Sequence, residues 1–215
     1  MKIDELTYQN AKIFISSTDK DVGSLIPLLT NFQDYSHEFH QFKIEKRQKE
    51  FLIARILLNK ALGAEVIVDY HDDNKPFLRN RTDYISITHS KAYVAVITHP
   101  QHPVGIDIEC RTDKTERIAK RFLGPDELRY FEQVQQAGYY EIAWSAKEAL
   151  FKIIGKKVIN FSQELEILPF QLNDSGSLNV LHVSASRIYR LQYIQNEYYS
   201  LVFGIDKRIS LTTAY

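Results

Sequence analysis

The sequence holds a single cysteine, Cys110, together with one tryptophan and one methionine. One thiol allows no internal disulfide and no CxxC pair, so a reducing compartment is expected. An excess of either charge is missing too, because 27 Lys plus Arg balance 27 Asp plus Glu. A general nucleic-acid binder usually carries a basic surplus, and this chain has none. Long apolar runs are absent: none approaches the roughly 20 residues that span a bilayer. The N-terminal stretch MKIDELTYQNAKIF carries acids where a signal peptide has its apolar core. These absences point to a cytoplasmic protein with neither a membrane nor a nucleic acid as partner. No GxxxxGK(S/T) or GxGxxG loop occurs, and HEFH at 37–40 lacks the spacing of HExxH zinc proteases.

What is present is enough for one large domain or two small ones, with 215 residues and ample material for a core. The segment KIEKRQKEFLIARILLNKAL (43–62) starts basic and turns apolar at helical spacing, and Gly63 is a plausible stop. Leu52, Ile56 and Leu62 suit its buried face. VIVDY (66–70) reads as a strand, and the polar turn in HDDNKPFL (71–78) leads to another. YISITHSKAYVAVITH (84–99) is a hairpin with a polar turn at 88–91. In the second half, RIAKRFLGPDELRYFEQ (117–133) predicts a helix, a break at Gly124-Pro125 and a further helix. EIAWSAKEALFKIIG (141–155) is helical and ends at a glycine. Strands are expected near 163–170 and 178–184, joined through NDSGS (173–177), with a second hairpin over 187–206.

The two halves share a vocabulary. Laid without gaps over WSAKEALFKIIG (144–155), LIARILLNKALG (52–63) aligns Ala54 with Ala146, Leu58 with Leu150, Lys60 with Lys152 and Gly63 with Gly155. ISITHSKAYVAVIT (85–98) over LQYIQNEYYSLVFG (191–204) aligns Tyr93 with Tyr199 and Val96 with Val202. Two matches in the same order suggest a duplicated helix-plus-hairpin unit. The expected fold is α+β, with subdomains at 1–103 and 104–215 meeting at a pseudo-two-fold seam. Each half is a helix packed on a small antiparallel sheet, and a ligand site is expected at the seam.

Acids intrude on apolar runs at two places. In VGIDIE (104–109), Asp107 and Glu109 project from the same face of a strand, with Val104, Ile106 and Ile108 on the other. Such a pair repels itself unless a cation or protons intervene, and hard oxygen ligands favour Mg²⁺. A solvated strand edge would read as well on the doublet alone. Glu148 in WSAKEALFK (144–152) changes the balance, since three carboxylates from a strand and a helix would make a Mg²⁺ site for a phosphorylated substrate. Lys152, one turn on, could touch the same phosphate, whereas Lys147 faces elsewhere. Lys75, before Pro76, could present an ammonium to an anion or simply solvate a loop. His89 in THS (88–90) could face a phosphate or be an ordinary surface residue. Lys43, Lys46, Arg47 and Lys49 could bind anions or merely open a helix.

VGIDIE followed about forty residues later by WSAKEALFK resembles the paired signature of 4′-phosphopantetheinyl transferases. That signature is a (V/I)G(I/V)D strand and a (W/F)(S/T/C)xKE(A/S)xxxK helix. NKPFL is similar to the family's GKP turn, with Asn74 in place of glycine; ISITHS is similar to its (N/S)xSH(S/T) segment, and RFLGPDEL to the stretch between the signature motifs. The resemblance covers about residues 47–155, and length and duplication are similar to the monomeric surfactin-synthetase-activating type. It implies Mg²⁺-dependent transfer of the phosphopantetheine arm of coenzyme A to a serine of an apo acyl or peptidyl carrier protein, releasing adenosine 3′,5′-bisphosphate. Asp107, Glu109 and Glu148 would ligate Mg²⁺. Glu148 would be the general base, directly or through a metal-bound water, and Lys152 would stabilise developing charge. Lys75, His89, Lys152 and, in looser register, Arg47 and Lys49 would bind coenzyme A. A coenzyme A- or carrier-binding module without catalysis is the alternative, and the complete acidic trio speaks against it.

Overall fold

The computed structural model describes residues 1–112, 114–134, 136–155 and 160–207. In chain order these form β1 (Ile3–Tyr8), β2 (Ala11–Ser17), α1 (Val22–Leu25), α2 (Phe32–Phe39), α3 (Glu45–Leu62), β3 (Val68–Tyr70), β4 (Pro76–Leu78), β5 (Tyr84–Ser90) and β6 (Tyr93–His99). The second half contributes β7 (Val104–Cys110), α4 (Lys114–Arg117), α5 (Pro125–Val134), α6 (Tyr139–Ile154), α7 (Phe161–Glu164), β8 (Leu165–Ile167), β9 (Ser175–His182), β10 (Arg187–Gln195) and β11 (Tyr199–Ile205). The fold is α+β, as expected.

Two antiparallel sheets carry it. The first runs β1-β2-β6-β5 and the second β7-β11-β10-β9-β8, while β3 and β4 pair separately. One apolar cluster surrounds α3, a second surrounds α6, and a third fills the space between the sheets with Ile13, Ile15, Ile97, Ile106, Ile108, Leu201 and Phe203. Fully burying each such side chain stabilises the fold by about 1.5–3 kcal/mol before entropy is counted.

Several expectations shift in detail. The helix expected over 43–62 begins at Glu45 and ends at Gly63, whose left-handed φ of 65° lets the cap form. It has no single buried face, because Glu50 to Leu58 are all buried. The sheet takes one side of it and the α1–α2 segment others, so periodicity alone understates its burial. In the first hairpin, Thr88, His89 and Ser90 belong to β5, and the turn is Lys91-Ala92. The stretch 117–123 contains a 3₁₀ turn at Ala119–Arg121 rather than a full helix, and the next helix starts on Pro125, where a missing N–H costs nothing. Residues 175–177 of NDSGS pair within β9, so the connection from β8 lies earlier, at 168–174.

The N-terminal hairpin was not anticipated at all. Its turn residues Gln9 and Asn10 both take positive φ, 47° and 70°, the conformation two-residue hairpins require. The apolar run Ile13-Phe14-Ile15, soon after the polar Gln9-Asn10 pair, is the signal that marks it.

Candidate active site

β7 and β5 are edge strands of different sheets, and they lie side by side. An edge strand must satisfy its outward N–H groups. Here alternate hydroxyls of β5 do so: Ser86 Oγ accepts from Ile106 N at 3.4 Å, Thr88 Oγ1 from Ile108 N at 3.4 Å and Ser90 Oγ from Cys110 N at 3.2 Å. The hydroxyl protons are then free to reach the acids. Thr88 Oγ1 donates to Asp107 Oδ1 at 3.0 Å, and Ser90 Oγ donates to Glu109 Oε2 at 2.8 Å. Thr88 and Ser90 therefore hold the acidic pair, a role the sequence did not suggest.

Gly105 permits the helix to reach this strand, since a Cβ there would overlap the Ala149 carbonyl oxygen. From α6, Lys152 Nζ donates to Asp107 Oδ1 and to the Ile106 carbonyl, both at 2.8 Å. Asp107 is thus 6% exposed with one oxygen doubly held, while Oδ2 is buried without a hydrogen-bond partner. Glu148 lies within electrostatic reach. Burial first, then the charge of Asp107 and to a lesser degree Glu109, opposed by Lys152, pushes its carboxyl up to about 7.

Of these residues, Ser86, Glu148 and Lys152 line a cleft. A cavity of about 380 Å³ is lined by Asn74, Lys75, Ser86, Glu148, Phe151 and Lys152, among others. Asn74 takes a φ of 62°, the left-handed conformation glycine favours and asparagine tolerates, so the turn that presents Lys75 forms without glycine. A larger cavity of about 710 Å³ at Arg111, Glu116, Tyr140 and Glu141 contains none of the signature residues. Size alone therefore does not single out the site.

The remaining predicted residues divide. His89 and Arg47 meet, with Arg47 Nη1 3.3 Å from His89 Nε2. Burial, reinforced by Arg47, Lys152 and Lys46 and opposed by Glu50, lowers the His89 pKa. Lys49 does not join them: it pairs with Glu45 Oε1 at 3.0 Å, because a residue two positions on projects from another side of a helix. Lys147 is fully buried. Its ammonium donates to the carbonyls of Phe122 at 2.7 Å and Phe161 at 3.2 Å and to Glu127 Oε2 at 2.8 Å. Glu127 also accepts from the N–H groups of Gly124 and Ile167, so this ionic network is satisfied and pins α6 beside Glu148.

The donors suit a hard cation. Carboxylate oxygens are the ligands Mg²⁺ takes, and the orphaned buried Oδ2 of Asp107 is the kind of atom a cation satisfies. Among the described residues, no group of three or more His, Cys, Asp or Glu side chains stands close enough together to hold a metal ion.

Comparison with known proteins agrees with this geometry. The family model of the 4′-phosphopantetheinyl transferase superfamily matches residues 103–205, which include β7 and α6. A 4′-phosphopantetheinyl transferase of Bacillus subtilis is 31% identical over 136 residues, covering 60% of this chain and 59% of its own length. The 4′-phosphopantetheinyl transferase psf-1 of Bacillus pumilus is 30% identical over 166 residues, 73% of this chain and 70% of that protein. The 4′-phosphopantetheinyl transferase Sfp of Bacillus subtilis strain 168 is 30% identical over 140 residues, or 60% and 61% of the two chains. The chain belongs to the 4′-phosphopantetheinyl transferase superfamily. Its match spans about three-fifths of the first of these relatives. Among the described residues, no helix is long and apolar enough to cross a membrane.

Proposed function

We propose that the protein transfers the 4′-phosphopantetheine arm of coenzyme A to a serine of an apo carrier protein. The observation that carries this reading is the convergence of Lys75, Glu148 and Lys152 on one cleft, with Asp107 bound to Lys152 at its edge. The reading divides the chain at 103/104 and sets the active site at the seam.

The carrier serine oxygen attacks the phosphorus that bears pantetheine. A phosphorus–oxygen bond forms there, and the bond to the bridging pyrophosphate oxygen breaks. The serine proton passes to Glu148, which lines the cleft and acts as general base, directly or through a water. The leaving adenosine 3′,5′-bisphosphate carries away the electron pair, and the Lys152 ammonium stabilises the charge that builds on it. Lys75, His89 and Arg47 hold the phosphates of coenzyme A. Asp107, Glu109 and Glu148 would hold Mg²⁺, which would supply charge neutralisation to the pyrophosphate. The reading takes the protein to work as a cytoplasmic monomer.

Incubation with coenzyme A, Mg²⁺ and a panel of apo carriers, read by intact mass, tests this. Addition of one phosphopantetheine group to at least one carrier is expected. Tight coenzyme A binding without any transfer would favour the catalytically silent binding module instead.

A further inference from the structure

Glu50 lies on α3 one turn beyond Arg47, and the transfer chemistry does not use it. Its side chain is 4% exposed, with Oε2 accepting from Arg47 Nη1 at 2.6 Å. The other oxygen, Oε1, is buried with no hydrogen-bond partner. It stands 3.6 Å from His89 Nδ1 and 3.6 Å from Lys46 Nζ. Because Arg47 Nη1 also lies 3.3 Å from His89 Nε2, a guanidinium, an imidazole and a carboxylate close a triangle.

We propose that Glu50 is a positioning residue of a phosphate-monoester clamp: it anchors Arg47 and backs His89, so that the phosphate binds with uptake of one proton by the imidazole. The inference rests on reading the cleft as a coenzyme A site. A buried carboxylate repels an incoming phosphate unless positive charge stands between them. Arg47 and Lys46 on α3, and Lys152 on α6, are cations already, so His89 is the group in this corner that can gain charge. In the free protein Arg47 Nη1 lies 3.3 Å from Nε2 and 3.5 Å from Nδ1, so the guanidinium faces the whole ring and its charge favours the neutral imidazole. Burial and the three cations favour this neutral ring, while Glu50 favours the charged one. An added phosphate tips the balance. Arg47 turns to the phosphate, a proton from the medium joins His89, and the charged ring donates from Nδ1 to Glu50 Oε1 and from Nε2 to the phosphate. That gives the orphaned carboxylate oxygen its partner.

Calorimetric titration at pH 8 in two buffers of different ionisation enthalpy tests the clamp, using coenzyme A and 3′-dephospho-coenzyme A. The wild type is expected to take up about one proton with coenzyme A and none with the dephospho compound. In Glu50→Gln the uptake should fall close to zero, and the preference for coenzyme A should shrink about ten-fold. His89→Gln, at a half-exposed position that tolerates change, should lose the uptake in the same way and covers the case of a misfolded Glu50 variant. Uptake unchanged in Glu50→Gln or His89→Gln, with coenzyme A still bound, overturns the clamp alone. A wild type that binds neither nucleotide overturns the coenzyme A reading and the clamp together.

Discussion

Helices α3 and α6 occupy matching places in the two halves, and the register pairs Arg55 with Lys147 and Ile56 with Glu148. Both Arg55 and Lys147 are buried cations that reach a glutamate on another helix, Glu38 and Glu127 respectively. The strands correspond likewise. Phe14 lies opposite Val96 as Asp107 lies opposite Val202, so phenylalanine in one half stands where aspartate stands in the other. Phe14 and Ile56 are core residues packed about α3. Glu148 lines the cleft, and Asp107 is bonded to Lys152, which lines it too. One scaffold position can therefore hold either core or chemistry, and what decides is whether a neighbouring strand supplies hydrogen bonds. β7 is an edge strand that meets β5, which supplies Thr88 to Asp107, whereas β2 lies inside its sheet between β1 and β6 and its Phe14 packs about α3.

The comparison breaks most sharply at the strand pair. Asp107→Ala should lower carrier modification by about a hundred- to a thousand-fold. It should cost less stability than loss of a closed ion pair, since Lys152 is 26% exposed and can turn to water and the repulsion with Glu148 is relieved. Phe14→Ala should do the reverse, costing about 3–5 kcal/mol in urea unfolding while the remaining folded protein keeps its turnover. Activity within a few-fold of wild type in Asp107→Ala would remove that residue from the site.

The buried cations give the next test. Lys147→Met leaves Glu127 charged at 4% exposure and should cost about 3–5 kcal/mol. Arg55→Met should cost only about 1 kcal/mol, because Glu38 is 41% exposed and water can take over. Part of that loss is the stacking of the guanidinium on Phe51, at 3.3 Å from the ring centre. Equal losses in denaturant titrations would show that the two networks are equivalent.

A smaller effect separates Glu148 from Ile56. With its carboxyl pushed up to about 7, the folded protein holds a proton that the unfolded chain has released. Stability in the presence of a chelator should therefore fall as pH rises from the ordinary carboxylate range to about 7, then level off. Glu148→Gln should flatten that slope, and Ile56→Val should leave it unchanged. A wild-type urea midpoint that rises over the same interval would contradict the burial of Glu148.

Much of the site was legible because it lies in short segments with strong local patterns. The strand doublet, the acid inside an apolar helix and the lysine one turn later are all local, and so is the glycine that ends each long helix. Lys49 pairs with Glu45, away from Arg47 and His89, because a basic run says nothing of which helix side each residue takes. Glu50 went unnoticed, since an acid among lysines looks like an ordinary helical ion pair until burial shows otherwise. The same limitation hid the β5 hydroxyls, which act across a junction of two sheets.

The sequence by itself determined the class of fold, the two helix-plus-hairpin units and the acids and lysine of the signature, because periodicity and spacing act within a few turns of chain. Only the tertiary structure decided which of those charges meet. Lys152 binds Asp107, Lys147 disappears into a closed ionic network, and Thr88 and Ser90, expected in a polar turn, lie on a strand and bind the acidic pair. Those outcomes depend on edge strands from different halves lying side by side, and on burial that makes each unpaired charge costly.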